Sequence, residues 1–109
     1  MDVENKKEFI NIKKIVVYGF GKIAHKSIDI LLNDFDIISI VDNDNKYIGK
    51  NYKEIPIEPL IKAKETVKSN TVIILATGVA LAEMRQSLIE MGLLEGRDFF
   101  DIDYFLTHW

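Results

Sequence analysis

The chain contains no cysteine. Disulfides, thiolate metal sites and cysteine nucleophiles are thereby excluded, and a reducing compartment is compatible with the composition. It also lacks any run of roughly 18 apolar residues, the length a bilayer-spanning helix requires. The leading segment MDVENKKEF is charged and has no apolar core of the kind a secretory signal carries. The sequence therefore reads as a soluble, cytoplasmic protein without a membrane partner. Excess positive charge is missing too. Lys and Arg number 14 against 17 Asp and Glu, and the net charge of −3 offers no cationic field for nucleic acid. No G-x-S-x-G elbow and no H-E-x-x-H pair occurs, so hydrolase and metalloprotease chemistry finds no support. There is no internal repeat, low-complexity stretch or interdomain linker.

What is present suits one folded unit. At 109 residues, 48% hydrophobic and 28% charged, the chain reads as a single domain over residues 1–109. Val3, Lys7 and Ile10 lie at helical spacing behind Asp2 and suggest a short leading helix. Residues 13–18, KKIVVY, predict a strand apolar on both faces, as a parallel sheet covered by helices requires. Gly19-Phe20-Gly21 is a turn. In KIAHKSIDILL, Ala24, Ile28, Leu31 and Leu32 form one helical stripe, with Asn33 as a left-handed cap. Residues 36–41, DIISIV, predict a second strand ending at Asp42. The polar run DNDNKYIGKNYK is a long turn, and IPI a short third strand. Pro59 suits the first position of a helix through LIKAKETV.

Residues 71–76, TVIILA, are the clearest strand of the chain. Thr77-Gly78 leads into ALAEMRQSLIEM, whose buried stripe is Leu81, Met84, Leu88 and Met91, with Gly92 ending the helix. DFFDI predicts a last strand and DYFLTHW a short helix or tail, packed on its own domain, on another copy or on a further domain. The alternation predicts an α/β fold: a doubly wound, mostly parallel five-stranded sheet of order 3-2-1-4-5, with IVVY and VIILA as central neighbours.

The stretch YGFGKIA has the spacing G-x-G-x-x-A of a dinucleotide fingerprint. Gly19 allows the tight strand-to-helix turn, Gly21 removes the Cβ that would hold a pyrophosphate off the backbone, and Ala24 lets helix and strand pack closely. The helix start behind the loop offers N–H groups and a partial positive charge to an anion. A strand ends in Asp42 about 20 residues on, where a carboxylate can accept from ribose hydroxyls and repel a 2′-phosphate. NADP is accordingly disfavoured. A doubly wound fold whose glycines serve only the turn reads from the same residues. Thr77-Gly78 falls at the topological switch point of the expected sheet, where open α/β sheets bind ligands; Thr77 could equally cap the next helix. The candidate binding residues are Gly19, Phe20, Gly21, Lys22, Ile23, Asp42, Asn43, Thr77 and Gly78. No catalytic or metal-binding residue stands out. His25 falls on the polar face of the first helix with Lys22, Asp29 and Asn33, which reads as solvated, and His108 reads as frayed near the chain end. Asp42-Asn43-Asp44 fails as a calcium loop, since Lys46 and Tyr47 stand where a ligand and the glycine are needed.

Three stretches, YGFGKIA, IVDNDNKYIGKNYKEIPI and VIILATG with GLLEGRDFFDID, carry a resemblance to a family. Over roughly residues 13–103 the chain resembles the small Rossmann-type domain at the front of bacterial sugar acetyltransferases and related surface-polysaccharide enzymes. The acid-rich turn, the glycine after it and the I-P-I strand are its most specific part. The resemblance implies a UDP-sugar held with Gly19 and Gly21 at the phosphates, Lys22 beside them and Asp42 near the nucleoside. The hexapeptide repeats and catalytic histidine of the acetyltransferases are absent from these 109 residues. The expectation is a nucleotide- or nucleotide-sugar-binding module for bacterial glycan synthesis, without a catalytic centre of its own, that works with a catalytic partner domain or as a homo-oligomer. The alternatives are an NAD-binding domain of an oxidoreductase or dehydratase fragment, and a docking or dimerisation domain that binds no ligand.

Overall fold

The structure is a computed structural model that describes residues 11–67 and 70–109; the expected leading helix over 3–10 lies outside the described residues. The elements run β1 (Lys14–Tyr18), α1 (Lys22–Leu31), β2 (Asp36–Asp42), β3 (Asn51–Tyr52), β4 (Ile55–Pro59), α2 (Lys62–Thr66), β5 (Thr71–Leu75), α3 (Leu81–Glu90), β6 (Phe99–Asp101) and α4 (Ile102–His108). The sheet has six strands in the order β3-β4-β2-β1-β5-β6. This corrects the expectation of five strands in the order 3-2-1-4-5. The additional strand, β3, is two residues long and pairs antiparallel with β4 through a tight hairpin. All the other pairings are parallel. The hairpin escaped the sequence because Asn51-Tyr52 is too short and polar to show an alternating pattern.

β1 and β5 form the centre of the sheet. They are buried on both faces because their residues alternate between two cores. Ile15, Val17, Val72 and Ile74 pack with Ala24, Ile28 and Leu31 of α1 and with Ile102 and Phe105 of α4. Val16, Tyr18, Ile73 and Leu75 pack with Ala63 of α2 and with Met84 and Leu88 of α3. Helices therefore cover both faces. β2 reaches the same result by a detour. Its register against β1 skips from Ile15↔Ile37 to Val16↔Ser39, a bulge at Ile38 that lets Ile37 and Ile40, three residues apart, share one core.

Several local expectations change. α1 ends in ordinary right-handed geometry at Leu32, so Asn33 is not a left-handed cap; Asn33, Asp34 and Phe35 close the turn by donating back to Ile30 and Leu31. Leu32 is exposed, and Ser27 takes its place on the buried stripe by donating its hydroxyl to the Ile23 carbonyl. Pro59 ends β4 opposite Asp42 instead of opening a helix, and α2 begins three residues later. Gly92 does end α3, with φ +86°. The C-terminal segment is a helix packed on its own sheet: the Asp101 carboxylate accepts from the Tyr104 N–H at 2.8 Å, and the Trp109 ring meets Phe35 at 5.0 Å. His108 is not frayed. It donates Nδ1–H to the Tyr104 carbonyl at 2.9 Å, and its ring stacks on Tyr104 at 4.0 Å.

Candidate functional site

The parallel register assembles the site. Tyr18 stands level with Val41 of β2 and with Leu75 of β5, so the next residues, Gly19, Asp42 and Ala76, meet at the same edge of the sheet. Gly19 donates to the Val41 carbonyl at 2.9 Å and Ala76 to the Tyr18 carbonyl at 3.0 Å, which carries the sheet one step past the strands. From this edge the chain turns into α1 on one side and into α3 on the other. Between them lies a cleft of about 450 Å³ lined by Gly19–Ile23, Asp42, Ala76–Ala80 and Met84. Small-molecule sites occupy roughly 300–1,000 Å³.

The two loop glycines do different work. Gly19 has φ +115°, and a Cβ there would stand 2.9 Å from the Ala76 carbonyl oxygen. Its role is steric. Gly21 has extended backbone and nothing within 4 Å of the place a Cβ would take. No packing inside the chain requires a glycine there, and Gly21 faces the cleft. It is the N-cap of α1, with no side-chain cap and no acidic residue in the first turn. Lys22 is exposed and makes no ion pair among the described residues.

Part of the lining is apolar. Ile23 and Val79 are exposed at the rim, and Ile23 Cδ1 would lie 3.1 Å from a Cβ on Gly78, so only a residue with no side chain fits there without displacing Ile23. Thr77 lines the cleft and does not cap α3, whose N-cap is Ala80. Asp42 is half-buried, and its carboxylate accepts from the Asp44 N–H at 3.2 Å. Asn43 is not part of the lining. Its Nδ2 donates to the Tyr18 hydroxyl at 2.9 Å. Burial holds the Tyr18 hydroxyl above the ordinary phenol range, although its hydrogen bonds with Ser87 and Asn43 work against that shift.

Eight of the nine residues singled out in the sequence thus line one cleft, and Asn43 instead bonds to Tyr18. Ala76, Val79, Ala80 and Met84 complete the wall and were not expected. Met84 carried a signal as part of the buried α3 stripe, but nothing in the spacing says that its end reaches the cleft. His25 is also corrected. It is half-buried, its ring packed against Phe20 at 4.4 Å and Tyr52 at 4.7 Å, because the β3–β4 hairpin folds over α1. Among the described residues no cluster of three or more His, Asp or Glu is placed to hold a metal ion, and no helix is long and apolar enough to cross a membrane.

No family model matches the sequence, and no curated protein matches it. Solved structures do match. The crystal structure of UDP-D-quinovosamine 4-dehydrogenase from Vibrio fischeri is similar with a TM-score of 0.60 and 22% identity, over 73% of this chain and 72% of that one. The crystal structure of RSP, a Rex-family repressor, is similar with a TM-score of 0.57 and 11% identity, over 83% of this chain and 44% of that one. At these identities the likeness concerns the fold, which is Rossmann-like.

Proposed function

We propose that the cleft binds a nucleotide or nucleotide-sugar of the UDP-sugar type, and that the chain is a single-domain binding module serving bacterial glycan synthesis in the cytoplasm. One observation carries this reading: Gly21, which no internal contact requires to be glycine, opens on a cleft that also collects Asp42 and the Thr77–Gly78 turn. Phosphates would lie over the loop at Gly19–Lys22, with Asp42 at the ribose and the Ile23–Val79 wall against the less polar part of the ligand. The similarity to a protein named as a UDP-sugar dehydrogenase supports the ligand class. The resemblance to the front domain of sugar acetyltransferases supports the same class and implies a catalytic partner domain.

A second reading, the NAD-binding domain of an oxidoreductase, is favoured by Asp42 at the end of β2 behind a G-x-G-x-x-A loop. Thermal-shift and calorimetric titration with UDP, UDP-sugars, NAD, NADP and CoA separates the two. A ligand at 100 times its dissociation constant stabilises the fold by about 2.7 kcal/mol. Binding of UDP-sugars without NAD supports the glycan module, and binding of NAD alone replaces it with the oxidoreductase reading. If none of them binds, the docking-domain alternative is the better account.

A further inference from the structure

His25 sits one turn into α1, and it holds the Gly21 carbonyl oxygen twice. Its backbone N–H donates to that oxygen at 3.0 Å, and its imidazole Nδ1 lies 2.7 Å from the same atom. A carbonyl can only accept, so Nδ1 carries the proton. The ring is clamped between loop and hairpin. It packs against Phe20 and stands perpendicular to Tyr52, and Phe20 in turn meets Tyr47 at 5.0 Å and Tyr52 at 5.4 Å.

We propose that His25 is a positioning residue for the ligand-binding loop, acting through the Gly21–Lys22 peptide; this rests on the nucleotide reading above. Gly21 is free to adopt backbone conformations closed to other residues, so its peptide is the one most prone to reorient. In a trans peptide the C=O and the following N–H point in opposite directions. Two donors that draw the Gly21 oxygen into the helix therefore keep the Lys22 N–H pointing out of the helix start, beside the cleft that Gly21 and Lys22 line. A flipped peptide would turn a carbonyl oxygen toward an anionic ligand and repel it. Phe20, held by three aromatic neighbours, anchors the other side of the same glycine. The neutral and protonated imidazoles both carry Nδ1–H in this arrangement, so the role does not depend on the charge of the ring.

Two measurements test it. Imidazole nitrogen NMR of the unliganded protein should find neutral His25 as the Nδ1–H tautomer, the minor form of free histidine in water; the Nε2–H tautomer overturns the proposal. In calorimetric titration with UDP, His25→Leu should keep the apolar contacts, lose the donor and weaken binding by about tenfold. His25→Asn, whose amide can donate to the same carbonyl, should stay within about threefold of wild type. A folded His25→Leu protein that binds UDP like wild type refutes the role and leaves the nucleotide reading standing, as does an equal loss in both variants. A wild-type protein that binds no nucleotide refutes that reading and this role with it. Should His25→Leu not fold, the tautomer and the affinity of His25→Asn decide.

Discussion

Gly19 passes so close to Ala76 that a Cβ on it would lie 2.9 Å from the Ala76 carbonyl oxygen. The glycine loop is thus seated against the continuation of β5, and Gly19 also adopts φ +115°, a region L side chains rarely enter. Gly19→Ala should therefore destabilise the fold by about 2 kcal/mol or more, from backbone strain together with a clash against backbone that has little freedom to move. Denaturant unfolding measures this directly, and an unchanged midpoint would mean that the loop is not locked against β5.

Gly21 should respond in the opposite way. A Cβ there meets nothing within 4 Å, so Gly21→Val should unfold like wild type while losing nucleotide binding. Undiminished affinity in the folded variant would assign both glycines to the turn alone.

Asp42 tests where the nucleoside lies. Asp42→Ala should weaken the best ligand by about 1.5–3 kcal/mol, the magnitude of a hydrogen bond to a charged group. NADP should bind less tightly than NAD, because the carboxylate opposes a 2′-phosphate. Equal affinities for the two dinucleotides, or an Asp42→Ala protein that binds as before, would move the ribose elsewhere.

Asp98 should link stability to pH in the acid range. Burial raises its pKa, but hydrogen bonds from Arg97 and from the Leu94 N–H, at 2.8 Å to Oδ2, together with the Arg97 charge outweigh burial and leave it below the ordinary 3.8. The unfolded chain therefore takes up this proton at a higher pH than the folded one. The stabilisation is complete above the ordinary carboxylate value and is lost as pH falls through the lower folded one. Wild type should exceed Asp98→Asn in stability by most near neutrality, and the gap should close below about pH 4. A gap that does not change with pH would be evidence against this assignment.

The β3–β4 hairpin turns through Lys53 and Glu54, both in the left-handed region at φ +50° and +68°. Two-residue hairpin turns with positive φ at both central positions favour Asn-Gly, and an L residue there costs about 1–2 kcal/mol. Glu54→Gly should raise stability by about 1 kcal/mol, whereas Glu54→Ala, which keeps a Cβ, should not. Thermal unfolding of the pair checks it; matched gains in both would point to the glutamate side chain rather than the backbone.

The sequence by itself determined the α/β alternation, the two doubly buried central strands and the glycine loop ahead of Asp42. Each of these is written in neighbouring residues: unbroken β-branched runs such as IVV and TVII, a helical stripe behind them, and small residues at fixed offsets. Only the tertiary structure decided the rest. Whether Asn51-Tyr52 forms a strand depends on β4 lying beside it. The bulge at Ile38 depends on the register against β1, and Pro59 closes a strand because it falls opposite Asp42. His25 reads in the sequence as a solvated residue on a polar helix face, but the hairpin brings Tyr52, 27 positions further along the chain, against its ring. Ala76, Val79 and Met84 join the cleft only because β5 lies next to β1. Local spacing records which face of an element is apolar, but not which distant segment will cover it; that is set by pairing and packing across the whole chain.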